Sequence, residues 1–270
     1  MLPYLNIHAH RAAVTPSEIV IRNLILTLDN SRKSPTYEAF NYDKMDFGES
    51  EEAAHPYAAS ATVQTNNPAL HGMHTYPFAK GTDDVALPAG AFSVGIHPAY
   101  FPTDAERALH RLERLAAHPD CRAVGEAGID KTLSTPPEAQ AALFLRQARL
   151  ASRLRLPLIV HCVRAWPELH AVKKSCPACR MIIHGFRGKP ELATALVRAG
   201  LSLSFGFRYN PDSLKACPPS RLFLETDEDP RSVEELYQTV APQLHLTVEQ
   251  LRRQCLDNLA ALFPNSMQRP

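Results

Sequence analysis

The chain has 270 residues, with 29 basic against 28 acidic, 45% hydrophobic and 21% charged, which suits a globular protein with a full-sized core. A net charge of +1 removes any global attraction for nucleic acid or anionic membrane and leaves only a local basic patch to serve either. No apolar run reaches the roughly 20 residues of a membrane helix, no leader with a cleavage site is visible, and six scattered cysteines are too sparse for a disulfide framework. A cytoplasmic protein with reduced thiols is expected, with no membrane contact and no required protein partner.

In chain order, YLNIHA (4–9) is a short apolar run that ends at His8, with His10 two residues on. Residues two apart on a strand point to the same side, so both imidazoles can face one ion. EIVIRNLIL (18–26) is a second strand. Residues 30–90 then break the pattern; they are rich in Pro, Asn, Ser, Thr and Asp. So long a loop inside a compact domain is unusual, and the segment reads as an elaborated insertion after the second strand. It carries His55, His71 and His74; H-G-M-H there is either a metal-binding pair or solvated surface.

From residue 90 onward, apolar runs alternate with amphipathic stretches. The runs are FSVGIHP (92–98), RAVGEAGID (122–130), LPLIVHCV (156–163), RMIIHGF (180–186), GLSLSFG (200–206) and RLFLETD (221–227). Their continuous apolar character fits strands buried on both faces of a parallel sheet. Between them lie helices with start signals at capping-box spacing: Thr103 with Glu106, Thr135 with Glu138, Ser232 with Glu235, and Thr247 with Gln250. Gly200 stops the helix that begins near Pro190. Eight strands with intervening helices predict an α/β fold: a single-domain TIM-like (β/α) barrel over 1–270 with an irregular insertion near 30–90. No G-x-G-x-x-G follows a strand, so an open dinucleotide-binding sheet has no support.

In such a barrel all strand C-termini meet at one face. That brings His8 and His10, Glu126, His161, His184 and Asp227 to one rim. Each histidine alone is an ordinary core residue. Together the imidazoles would repel if protonated; neutral, they are divalent-metal ligands. The set exceeds one tetrahedral shell and fits two ions bridged by a carboxylate. Glu126 is the natural bridge, with His8, His10 and Asp227 on one ion and His161 and His184 on the other. A water between the ions would ionise near neutral pH, and Asp227 would orient it and take its proton, making Asp227 and Glu126 the catalytic pair.

H-x-H, V-G-E-x-G-I-D, I-V-H, I-I-H-G-F and L-E-T-D, in that order, resemble the TatD family of metal-dependent hydrolases of the amidohydrolase superfamily. G-I-H-P (95–98), S-F-G (204–206) and N-L-A-A-L-F (258–263) extend the likeness, which skips residues 30–90. The resemblance implies a barrel, two divalent cations and deoxyribonuclease activity, including exonuclease action. It implies metal ligation by His8, His10, Glu126, His161, His184 and Asp227, and places His97 and Glu225 near the site, touching substrate or supporting the ligands. The chain departs from the family pattern at Asn6, where Asp is usual, at Arg164, which comes one residue late, and before G-I-H-P, where it is expanded.

A phosphodiester needs cations beside the metals. Arg11, Lys131, Arg164, Arg187, Lys189 and Arg208 follow strands on the predicted catalytic face, and Arg164, Arg187 and Lys189 are the expected phosphate contacts. Phe186, Phe207 and Tyr209 either stack on bases or pack loops. Cys162 should face away from the ions, and Cys176 and Cys179 form a C-x-x-C without a partner pair.

The expected function is therefore a two-metal hydrolase using Zn, Mg or Mn, with DNA or another phosphodiester as substrate. The alternative is a small-molecule esterase, lactonase or amidase on the same site. A non-catalytic metal-binding protein is the reading from a different class.

Overall fold

The computed structural model describes residues 2–9, 18–25 and 91–262. The insertion at 30–90, with its three histidines, and His10 and Arg11 lie outside the described residues. Among the described residues, eight strands run in chain order within one parallel sheet: β1 (Tyr4–Ala9), β2 (Glu18–Ile25), β3 (Phe92–Gly95), β4 (Cys121–Asp130), β5 (Leu158–Val163), β6 (Met181–Ile183), β7 (Ser202–Phe205) and β8 (Leu222–Leu224). A parallel bridge between Ala9 and Asp227 joins the last strand to the first, and the Asp227 amide donates to the His8 carbonyl at 3.1 Å. The sheet is thus closed into the barrel that the alternating pattern predicts.

The strands bury mostly residues that have no polar side-chain atoms to satisfy, beside Asn6, Ser93, Ser202 and Ser204. Leu5, Val94, Ala123, Leu158, Val160, Ile182, Leu203 and Phe223 are fully buried. Several predicted strands are longer than the observed ones. FSVGIHP pairs only over Phe92–Gly95, because Pro98 lacks an N–H and opens a 3-10 turn at Pro98–Tyr100.

Among the described residues, seven helices cover the outside: α1 (Ala105–Ala116), α2 (Pro137–Leu154), α3 (Trp166–Ser175), α4 (Pro190–Arg198), α5 (Pro211–Ala216), α6 (Val233–Gln243) and α7 (Val248–Leu262). Two of the four expected capping boxes form. Ser232 accepts from the Glu235 amide while Glu235 reaches back, and Thr247 and Gln250 exchange bonds of 3.2 and 2.8 Å. The other two do not. Asp104, not Thr103, caps α1 by accepting from the Arg107 amide at 2.9 Å, and its neighbour Glu106 is drawn outward into an ion pair with Arg146. The first turn of α2 has no side-chain cap, because Pro136 occupies the cap position and Pro137 follows it. Gly200 follows the end of α4 at φ +84°, a conformation that costs a side-chain-bearing residue strain.

Two buried glutamines on α2 pin the strand ends that carry the site. Gln147 exchanges bonds of 2.8 and 3.0 Å with both backbone groups of Ile96, next to His97. Gln140 does the same for Asp130 at 2.7 and 3.0 Å. Backbone groups past a strand's last ladder bond would otherwise be buried unpaired, at about 1–3 kcal/mol each.

Candidate metal centre

Each histidine of the centre reaches the barrel mouth at or just beyond a strand end. His8 is the penultimate residue of β1 and is fully buried. His161 follows Ile159 by two on β5, and His184 stands one residue past β6. Glycines let β4 lie close enough to its neighbours for Glu126 to meet them. A Cβ on Gly95 would sit 2.6 Å from backbone atoms of Gly125 and Glu126, and one on Gly128 would strike the His161 carbonyl. Asp227 sits at φ +52°, a left-handed conformation that costs a non-glycine residue of order 1–3 kcal/mol and that clusters at functional sites.

Glu126 is the hub. Its Oε1 lies 2.6 Å from His184 Nε2, 2.8 Å from His161 Nδ1 and 3.3 Å from His97 Nε2. Its Oε2 is 3.5 Å from His8 Nε2, which is in turn 3.7 Å from Asp227 Oδ1. Ligand atoms of His8, His184 and Asp227 lie within 4.8 Å of one another, as do those of His97, Glu126 and His161. The sequence reading pairs His184 with His161 and leaves His97 outside the ligand set. The geometry groups His184 with His8 and Asp227, and brings His97 onto Glu126.

Hydrogen bonding separates His97 from the ligands. Its Nδ1 accepts the Ala99 amide at 3.1 Å, so the proton of the neutral ring is assigned to Nε2. Burial holds the ring below its ordinary pKa, against the attraction of Glu126. A neutral imidazole with Nε2–H donates to Glu126 and has no lone pair left for an ion.

His161 is fixed the opposite way. Its Nε2 is 3.2 Å from Asp130 Oδ2, while Asp130 Oδ1 accepts from the Thr132 amide and hydroxyl at 2.8 and 2.5 Å. Asp130 therefore accepts from His161 Nε2–H and leaves the Nδ1 lone pair aimed at Glu126 and at His184 Nε2, 3.2 Å away. Carboxylate–histidine pairs of this kind orient metal ligands. Behind His184 stands Glu225, fully buried, 3.5 Å from His184 Nδ1 and accepting the Gly185 amide at 2.6 Å. The resemblance left Glu225 either touching substrate or supporting a ligand. It is buried behind His184, a position that suits support of the imidazole. Asp130 is not among the expected site residues, although Glu126, Gly128 and Asp130 share one side of a strand by their even spacing.

The donor set fits divalent cations. A neutral imidazole has one N–H, so the nitrogens crowding Glu126 Oε1 include lone pairs directed at other lone pairs. Without an ion, protons must supply the missing positive charge. Burial opposes this at His161 and His184, yet Asp130 and Glu126 raise the first, and Glu126 and Glu225 hold the second well above its ordinary value. Sites that hold protons in this way release them to a metal.

At the rim, Arg164, Arg187 and Lys189 lie exposed on the loops after β5 and β6. Lys131 spends its charge on Glu168 at 2.6 Å. Phe186 is 2% exposed and packs edge-on against Trp166 and Phe205, so it belongs to the loop core. The Cys162 thiol is pushed up to about 12 by burial, as suits a packing residue. Cys176 and Cys179 are buried outside both ligand groups. Among the described residues no helix is long and apolar enough to cross a membrane.

A closed parallel barrel with histidines and carboxylates converging at its C-terminal mouth is the arrangement of a metal-dependent hydrolase. The TatD related DNase family model matches residues 49–264, and the chain belongs to that family. It is 26% identical to the uncharacterized metal-dependent hydrolase YabD of Bacillus subtilis, over 63% of this chain and 76% of that one. It is 28% identical to the 3′-5′ ssDNA/RNA exonuclease TatD of Erwinia billingiae over the same shares, and 31% identical to the human 3′-5′ RNA nuclease TATDN2 over 61% of this chain and 24% of that one. In fold it resembles the Escherichia coli TatD homolog YJJV with a TM-score of 0.58, at 24% identity over 64% of this chain and 76% of that one. The family match begins after β1 and β2, so His8 is tied to the centre by geometry.

Proposed function

We propose that the protein is a two-metal nuclease that hydrolyses phosphodiester bonds of DNA, at a free end or within single strands. The observation that carries this reading is the convergence of three imidazole nitrogens on one buried carboxylate oxygen, Glu126 Oε1, at 2.6–3.3 Å. His8, His184 and Asp227 would hold one cation, with His10, expected from its spacing to share a ligand role with His8, as a further donor. His161 would hold the other, and Glu126 would bridge. Divalent cations held there (Zn, Mg or Mn) supply Lewis acidity at the phosphoryl group and acidify water to a pKa of about 7.

The chain's own groups do the rest. Asp227, with its side chain 30% exposed at the mouth, accepts the proton of the attacking water. His97 steadies Glu126 through Nε2–H. Asp130 and Glu225 keep His161 and His184 turned inward. Arg164, Arg187 and Lys189 offer donors to phosphate oxygens flanking the scissile bond. The names of the relatives, single-stranded DNA/RNA exonuclease and RNA nuclease, support a nucleic-acid substrate and put RNA beside DNA. A single domain with 30–90 as its insertion, and a cytoplasmic location, belong to the same reading.

The test is digestion of end-labelled single- and double-stranded DNA and RNA by metal-reconstituted protein, beside a panel of small esters, lactones and amides. Metal-dependent release of nucleotides is expected. Turnover confined to the small molecules would sink the nuclease reading and leave the hydrolase.

A further inference from the structure

Two residues beyond Asp227, the loop after β8 builds a flat surface that the chemistry above does not use. The Arg231 guanidinium lies over the Phe207 ring, 3.7 Å from its centroid. It is locked in plane by Asp229, with Nε to Oδ1 at 2.9 Å and Nη2 to Oδ2 at 2.7 Å. The Arg231 amide also donates to Asp229 Oδ1 at 3.1 Å, and the Asp229 amide donates to the Thr226 carbonyl at 2.9 Å. Arg231 directly precedes Ser232, the capped start of α6. Phe207 stands two residues past the end of β7. Arg231 is four residues past Asp227, a span of at most about 14 Å, so this stack lies on the catalytic face within reach of the metal centre.

Resting on the nuclease reading, we propose that the outer face of Arg231 is a stacking site for an unpaired nucleobase next to the scissile phosphodiester of single-stranded DNA or RNA. A guanidinium meant to grip phosphate keeps its edge free. Here the Nε/Nη2 edge is spent on Asp229, whose charge cancels that of the arginine. Beside the donors of its Nη1 end, the guanidinium offers a rigid plane, backed by an aromatic ring, on a side chain 51% exposed. A base laid on it completes a base–guanidinium–phenyl sandwich at little ordering cost. A duplex cannot use the site without unstacking, so single strands are favoured.

The experiment uses the full chain with metal, and single-stranded dodecamers of DNA and of RNA, each with an abasic residue at one position. Wild-type protein should show a KM about tenfold higher when one particular position is abasic, with kcat little changed, in line with a stacking contribution. Arg231→Ala and Phe207→Ala should raise KM about tenfold on intact strands and leave the abasic substrate unchanged. Arg231→Lys, which keeps the charge and loses the plane, should behave like Arg231→Ala and guards against a misfolded variant. Equal losses on intact and abasic strands, or no loss on either, would overturn the stacking site while leaving the nuclease intact. If the wild type cleaves no strand, the nuclease reading fails, and fluorescence anisotropy with the same dodecamers decides the stacking site separately: indifference to the abasic position overturns it.

Discussion

Asn6 and Thr226 hold each other across the seam where the barrel closes. Asn6 Nδ2 donates to Thr226 Oγ1 at 3.0 Å, and the Thr226 amide donates to Asn6 Oδ1 at 3.1 Å, both among buried groups 220 residues apart in sequence. His8 and Asp227 stand immediately beyond this clamp, on the same two strand ends. The amide that replaces the family's usual Asp therefore serves both as donor and as acceptor. Asn6→Ala leaves the Thr226 amide and hydroxyl buried without it and should cost about 2–3 kcal/mol, read as a lower urea midpoint with an unchanged m-value. Asn6→Asp keeps the acceptor for the Thr226 amide and should cost less.

Removing Glu126 takes away the carboxylate that faces all the described histidines of the centre. Glu126→Gln keeps the volume, loses the charge and presents an N–H to lone pairs. Metal affinity measured by isothermal titration should fall at least about 100-fold, with hydrolysis lost in parallel. Unchanged hydrolysis by the purified variant would remove the centre from the mechanism and revive a binding-only role.

Asp130 should be felt through His161. Asp130→Ala frees the imidazole to turn or to change tautomer, and a 10- to 100-fold loss of metal affinity is the usual scale for such partners. Thr132→Val, which removes only one of the two bonds that orient Asp130, should give a smaller loss of the same kind. Extended X-ray absorption on the loaded protein should report fewer imidazole ligands in Asp130→Ala than in wild type.

The metal-free protein should lose stability as pH rises above neutrality. His184 and His161 have folded pKa values above the unfolded value of about 6.5. Their contribution is complete below that pH and is lost as pH climbs through the raised values. His97 has the opposite shift and weakens the fold only as pH falls below about 6.5. Divalent metal displaces the protons on His184 and His161, so its apparent affinity should rise with pH and its uptake should release protons. Thermal melts of chelated protein from pH 6.5 to 9, repeated with Zn or Mn, give both signs: a falling Tm without metal and a growing metal-induced increment. A flat increment would mean that the metal does not replace protons at this centre.

The strands, their order and the level at which each delivers its side chain were legible in the sequence alone. Apolar runs, the period of two along a strand and capping signals are local properties, and a parallel barrel forces every strand end to one face. Hence His8, Glu126, His161, His184 and Asp227 could be named before any coordinates. Local signals also failed locally: at α1 a better acceptor, Asp104, displaced the expected Thr103 cap, and at α2 prolines occupied the cap position.

What only the tertiary structure decided is which of these side chains meet, and through which atoms. Barrel closure sets the distances across the mouth. It joins His184 to His8 and Asp227, not to His161 alone, seats His97 on Glu126, and turns Glu225 behind His184. The direction of each imidazole is chosen by partners from other segments: the Ala99 amide for His97 and Asp130 for His161. Arg231 likewise stacks on a ring from another loop, 24 positions earlier in the sequence. Periodicity places a residue on a face, but a hydrogen bond needs an angle and a distance, and those come from how twisted strands and their loops pack together.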